Sequence, residues 1–297
     1  MRRAVLLFLV ACGSDPAPPD ARPDVLLARC DPAMPFAAPE PVGGINSPND
    51  DVSARLSADE LTVVFSRRTA AGSGFYDMYT ATRASRDLPF DPPALLATVN
   101  SVNSETYPTV SPNGLLLAFE SDRSTGKAHI YTSVRATIDD KFSAPTAALA
   151  LMDNEHHPYL ATDTALYFSS SLRTGGQGKV DIWRTEIDST GATSTPTTIL
   201  GGVNTPEDEV TPTLTEDELQ LFFRRTAGTE LDIYLASRSS ITDGFGAAVA
   251  VPGLAEPGIN EIPTWIAPDG CSLYVEIANS PATMGGADLF VARRGTP

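Results

Sequence analysis

Five acidic side chains recur at one point of a repeating pattern: Asp51, Glu105, Glu155, Glu209 and Glu261. Paired carboxylates can hydrolyse a glycosidic bond, one protonating the leaving group while the other attacks or activates water, at separations near 5.5 Å or from about 6.5 to 9.5 Å. Asp51, Glu105 and Glu155 are the first candidates for that chemistry. Arginines recur downstream as Arg68, Arg123, Arg173 and Arg225, placed to pair with acids of neighbouring units. An acid repeated in every unit suits a framework, whereas catalysis needs different groups in different roles. The framework reading therefore leads.

The segment "NEHHPY" at 154–159 departs from the repeat. On an extended strand Glu155 and His157 would share a face while His156 points away, too few ligands for a metal without help from elsewhere. Polar residues at a channel rim are the simpler reading, and no metal is expected. The chain holds no G-x-S-x-G nucleophile motif, no phosphate loop and no GxGxxG fingerprint in a βαβ setting, so no cofactor is expected either.

The elements that position these residues follow from five aligned segments, from "INSPNDDVSARLSADELTVVF" to "AEPGINEIPTWIAPDGCSLYV". Their closing residues Phe65, Phe119, Phe168, Phe223 and Val275 are spaced by 54, 49, 55 and 52 residues, a period of four-stranded propeller blades. Each unit continues into a second apolar signature such as "YDMYTATR" or "LDIYLASR", and period-two alternation predominates. The sequence predicts an all-β, five-bladed propeller with repeats near 46–99, 100–148, 149–200, 201–253 and 254–297. Pro108, Pro158, Pro212 and Pro263 fall in the first strand of their units, tolerable on the inner edge of a blade, which places the acids near the central axis. The last unit lacks its outer strand, and "PFAAPEPVGGI" at 35–45 stands alone before the first. That segment is expected to complete the last blade and remove an exposed edge. Cys30 and Cys271 fall at the same end of that blade, and a disulfide between them is favoured over two free thiols.

A formal charge of −16, from 21 basic and 37 acidic residues, opposes phosphate backbones, so nucleic acid is not expected as a partner. "MRRAVLLFLVAC" pairs two arginines with an apolar run too short to span a bilayer, the pattern of an export signal over residues 1–11. "LVAC" resembles the lipobox of bacterial lipoproteins, which implies cleavage before Cys12 and lipidation there. Residues 12–29, rich in Pro, Asp and small residues, read as a tether. By resemblance to the enterobacterial sorting rule, Gly13 favours the outer membrane. Contact with the membrane would run through the lipid alone.

"SPNGLLLAFESDRSTGKAHIYTSVR" at 111–135 and "APDGCSLYVE" at 267–276 resemble the WD40-like (PD40) repeat of TolB-type propellers. The resemblance implies a monomeric, non-enzymatic, envelope-anchored module that binds a protein or cell-wall polymer. Loops such as "RTAAGSGFYD", "SLRTGGQGKVD" and "NSPATMGGAD" differ most between units and would carry specificity. The alternative is a carbohydrate-active propeller, a glycoside hydrolase or a lectin-like sugar binder. Only two tryptophans, Trp183 and Trp265, are present to stack on a sugar.

Overall fold

The computed structural model describes residues 29–69, 74–124, 126–148, 155–171, 173–227, 230–254 and 259–295. The signal segment 1–11, Cys12, nearly all of the tether and Asn154 lie outside the described residues.

Among the described residues twenty strands form five antiparallel sheets of four. After β1 (Glu40–Pro41), blade 1 contains β2 (Asp51–Leu56), β3 (Thr62–Arg68), β4 (Tyr76–Thr82) and β5 (Ala94–Leu95). Blade 2 contains β6 (Glu105–Val110), β7 (Leu116–Ser121), β8 (His129–Val134) and β9 (Thr146–Ala147). Blade 3 contains β10 (Glu155–Leu160), β11 (Ala165–Ser170), β12 (Asp181–Glu186) and β13 (Thr197–Thr198). Blade 4 contains β14 (Glu209–Leu214), β15 (Gln220–Ala227), β16 (Glu230–Ser237) and β17 (Val249–Ala250). Blade 5 contains β18 (Asn260–Ile266), β19 (Ser272–Ala278) and β20 (Ala287–Arg293). Its fourth strand is β1, paired to β20 through Glu40 and Val291, as the lone N-terminal segment predicts. No helix among the described residues is long and apolar enough to cross a membrane.

Each second strand lies between two neighbouring blades, so both of its faces are buried and it reads as a nearly continuous apolar run. Phe65 packs with Tyr274 and Leu289 between blades 1 and 5, and Tyr167 with Phe223 between blades 3 and 4. The junction of blades 1 and 2 is thinner, built on Met78, Leu117, Phe119 and Phe142.

Asparagine side chains tie neighbouring blades together. Asn204 accepts from the Ile182 amide at 3.0 Å and donates to the Ile182 carbonyl at 3.0 Å, adding one residue of ladder to the edge of β12. Asn100 does the same to Met78 on β4, and Asn46 to Leu289 on β20. The expected disulfide joins Cys30 to Cys271 with a Cα–Cα distance of 5.6 Å, across a sequence separation of 241.

The inner strands all carry a register shift in mid-strand, between Val52 and Arg55, Thr106 and Thr109, His156 and Tyr159, Val210 and Thr213, and Pro263 and Trp265. In four of them the third residue is left-handed: Ser53 (φ 58°), Tyr107 (φ 51°), His157 (φ 55°) and Thr211 (φ 54°). Pro108, Pro158 and Pro212 follow these residues and sit where the ladder is already interrupted, which is how the inner strands accommodate them.

Replacing Asn204 with Leu strands the buried N–H and C=O of Ile182, and a loss of about 2–3 kcal/mol in urea denaturation is expected. Reducing the Cys30–Cys271 bond is expected to lower stability by at most about 5 kcal/mol, read as the difference between oxidised and reduced unfolding curves.

Candidate functional site

Four of the five repeated acids open their inner strands, Glu261 is second in β18, and all five are buried, with Asp51, Glu105 and Glu209 at 0% exposure. Asp51 accepts from the Ser47 amide and hydroxyl, both at 2.7 Å, and from Arg67 Nε at 2.6 Å. Glu105 takes the Ser101 amide and hydroxyl together with Arg123, and Glu209 takes those of Thr205 together with Arg225. Glu155 pairs with Arg173. The guanidinium also reaches a linker carbonyl in three blades, that of Ile45, Val99 or Val203, and rests against the closing Phe of its own blade.

These pairs lie within a blade, which corrects the expectation of pairing between neighbouring blades. Arg68 is also corrected: it pairs with Asp50 at 2.8 Å and donates to the Tyr76 hydroxyl, while Arg67 holds Asp51. None of the five acids borders the axial gap, which is lined instead by Ser53, Tyr107, His157, Thr211 and their neighbours and encloses about 20 Å³. Asp51, Glu105 and Glu155, each held by an arginine within its own blade, have the geometry of framework groups. In blade 5 Ile277 stands opposite Glu261, where blades 1 and 4 carry Arg67 and Arg225.

One residue inward along the ladder the chemistry changes from blade to blade. Opposite the residue that follows each repeated acid stand Ser66, Glu120, Ser169, Arg224 and Glu276. Sequence reasoning missed these residues because it looked for what repeats. Their signal is a column that varies, one residue beyond the closing Phe or Val of each unit.

Glu120 accepts from the backbone N–H of His157 at 3.2 Å and lies 3.2 Å from His156 Nδ1. Burial opposes its charge, but the His156 hydrogen bond and the two imidazoles hold its pKa below the ordinary carboxylate value. His156 rises in turn, its burial outweighed by Glu120. His157 is pushed down to about 4 by burial, with its Nδ1 3.3 Å from Ser169 Oγ and its ring edge-on to Tyr107 at 4.3 Å. The bulge overturns the simple alternation expected of "EHHP": Glu155 turns to Arg173, while His156 and the His157 backbone both meet Glu120.

Glu276 is the opposite case. Burial pushes its pKa up to about 7, against a hydrogen bond from the Ser53 backbone and the charge of Arg224. Its Oε2, Arg224 Nε and Ser66 Oγ are buried without a hydrogen-bond partner. Tyr107, which lines the axial gap, has its phenol pKa raised by burial and further by the charges of Glu276 and Glu120, with Arg224 opposing. Among the described residues no cluster of three or more His, Cys, Asp or Glu could hold a metal ion. Trp183 is packed in the core, and Trp265 lines a separate cavity of about 620 Å³ at the opposite mouth of the ring. The acids that line that cavity, Asp139, Asp140 and Glu216, are exposed loop residues unsuited to acid and base roles.

Comparison with protein-family models and with curated protein sequences finds no match. Among solved structures, the GH43_1 enzyme from Xanthomonas citri is similar, with a TM-score of 0.58, 14% identity, and coverage of 86% of this chain and 90% of that one. The alpha-L-arabinofuranosidase of Podospora anserina in complex with cellotriose gives a TM-score of 0.55 at 11% identity, over 91% of this chain and 99% of its own. TolB from Acinetobacter baumannii gives 0.51 at 14% identity, over 84% of this chain and 56% of its own. At these identities the likeness establishes the five-bladed fold and transfers no residue role. It does correct the expectation of a non-enzymatic TolB-type scaffold. The likeness that carried that expectation is shared by glycoside hydrolases, whose chains are matched over nearly their whole length.

The raised carboxyl makes a prediction. Protonation of Glu276 favours the folded state, so its contribution is complete below pH 4.5 and is lost as pH rises through about 7. The stability of the wild type relative to Glu276→Gln is expected to fall by roughly 3 kcal/mol between those limits, measured by urea denaturation across that pH range.

Proposed function

We propose that the chain is a carbohydrate-active propeller whose axial site cleaves glycosidic bonds. The observation that carries this reading is the pair Glu276 and Glu120, equivalent positions of blades 5 and 2 whose surroundings drive their pKa values apart. Two carboxyls so separated are what an acid and a base on one sugar require.

Glu276, protonated near neutral pH, donates to the glycosidic oxygen. Glu120, kept ionised by His156, attacks the anomeric carbon or activates water. Arg224 and the Ser66 hydroxyl offer unused hydrogen-bonding capacity to sugar hydroxyls. Tyr107 and His157 form an aromatic floor in the absence of tryptophan at this end. The loops between second and third strands differ most between units, which suits selection of the sugar. Export and a lipid anchor at Cys12 belong to the same proposal, placing the enzyme among polysaccharides outside the cytoplasm.

The test is hydrolysis of xylotriose, cellotriose and arabinoxylan by residues 29–297, followed by reducing-sugar release. Glu276→Gln and Glu120→Gln are each expected to lower kcat by about 10² to 10⁴, while both variants retain bound xylotriose or cellotriose. The Asp51→Asn control is expected to lower thermal stability with a far smaller effect on kcat. Binding without turnover by the wild type would reduce the proposal to a sugar-binding module, and neither binding nor turnover would overturn it.

A further inference from the structure

The large cavity at the opposite mouth borders a blade junction that lacks two side chains found at two other junctions. Between blades 3 and 4, Tyr167 donates to Glu218 at 2.5 Å, and Arg238 meets both, at 3.3 Å from the phenol and 3.7 Å from the carboxylate. Between blades 5 and 1 the same trio recurs as Tyr274, Glu60 and Arg83. In each case the glutamate occupies the turn between first and second strands, with its N–H bonded three residues back. The arginine lies over a phenylalanine, 4.4 Å from the Phe245 or Phe90 ring.

Between blades 1 and 2 the arginine and the ring remain, as Arg135 at 4.5 Å from Phe142. The tyrosine position is Val64, paired with Thr80 as Tyr167 is with Arg184, and the glutamate position is Gly114. The phenol and the carboxylate are therefore both missing, and the cavity of about 620 Å³ opens where they would stand. Its walls include Leu56, Val64, Val110, Phe142 and Trp265.

A second arginine reaches the same space. Arg55 is 5% exposed, lies 3.4 Å above the Tyr159 ring, and donates one Nη to the Leu160 carbonyl. Its Nε and Nη1 have no hydrogen-bond partner, whereas Arg135 donates to the Gly114 and Ile138 carbonyls and feels the charges of Asp139 and Asp140. Burial without a counter-ion lowers the Arg55 pKa to about 10. A buried, unpaired guanidinium is costly to the fold, and an entering carboxylate would neutralise it through charge-assisted hydrogen bonds.

We propose that this cavity binds a small aromatic carboxylate, whose ring takes the place of the absent tyrosine and whose anion takes the place of the absent glutamate. A one- or two-ring acid suits a pocket of this volume. The site lies on the face opposite Glu120 and Glu276, and the proposal is independent of carbohydrate cleavage.

Titration calorimetry of residues 29–297 with 2-naphthoate tests it. Binding with a Kd of about 1 mM or tighter is expected, and the uncharged 2-naphthamide should bind about tenfold more weakly or worse. Val64→Tyr, which copies blades 3 and 5, should fill the space and abolish naphthoate binding with thermal unfolding unchanged or raised. Arg55→Met should weaken naphthoate about tenfold without weakening the amide; if that variant fails to fold, the amide comparison and Val64→Tyr decide. No naphthoate heat at about 5 mM, equal binding of acid and amide, or full binding by folded Val64→Tyr overturns the proposal.

Discussion

Closure of the ring is the constraint on which the rest depends. Blade 5 draws three strands from one end of the chain and its fourth from the other, so until β1 finds β20 blade 5 is incomplete and the ring lacks its closing seam. Every hydrophobic cluster described here lies between blades and none inside one, so an open ring would expose two of these faces at once. The Cys30–Cys271 bond and the ladder of Asn46 against Leu289 act on that same seam. The seam also continues outward, where Phe36 pairs with Arg294 and packs against Phe222 of blade 4.

Around the closed ring, the buried arginine and acid pairs fix where each inner strand begins. Burying such a pair carries a desolvation cost comparable to its Coulomb attraction, so its contribution lies less in raw stability than in register. Asp51, Glu105 and Glu209 each collect a backbone amide, a hydroxyl and a guanidinium that only one alignment of linker, first strand and second strand can supply. The arginine reaches that spot from different sequence offsets. In blades 1 and 4 it stands directly opposite the acid, and in blades 2 and 3 it comes from the following loop, beyond Ser121 and Ser170.

That variation explains what was legible in the sequence. Blade number, the closing strand and the cysteine pair followed from period and leftover segments, because five units solving one packing problem leave one pattern. The recurring arginine of blade 1 was read as Arg68 rather than Arg67 because two arginines stand in tandem and only the register separates them. The carboxyls proposed for catalysis were hidden for the opposite reason: Glu120 and Glu276 sit in a column without a consensus, and their properties come from bulged backbone and burial that no local pattern encodes. The wide cavity was invisible as well, since Val64 and Gly114 look unremarkable until the Tyr and Glu at equivalent positions are superimposed on them. The function expected from the repeat was wrong because the repeat specifies the ring, and rings of this kind carry many activities.

The left-handed bulges have a consequence for any attempt to make this protein more rugged. Ser53, Tyr107, His157 and Thr211 hold a backbone conformation that glycine adopts freely and other residues adopt at a cost of order 1 kcal/mol or more each. A stability-driven redesign would begin by placing glycine at all four. It would also strip the phenol and imidazole from the floor beneath Glu120 and Glu276 and leave the axis a bare hole. At the centre of the ring, ruggedness and a chemically furnished surface are competing demands on the same four residues.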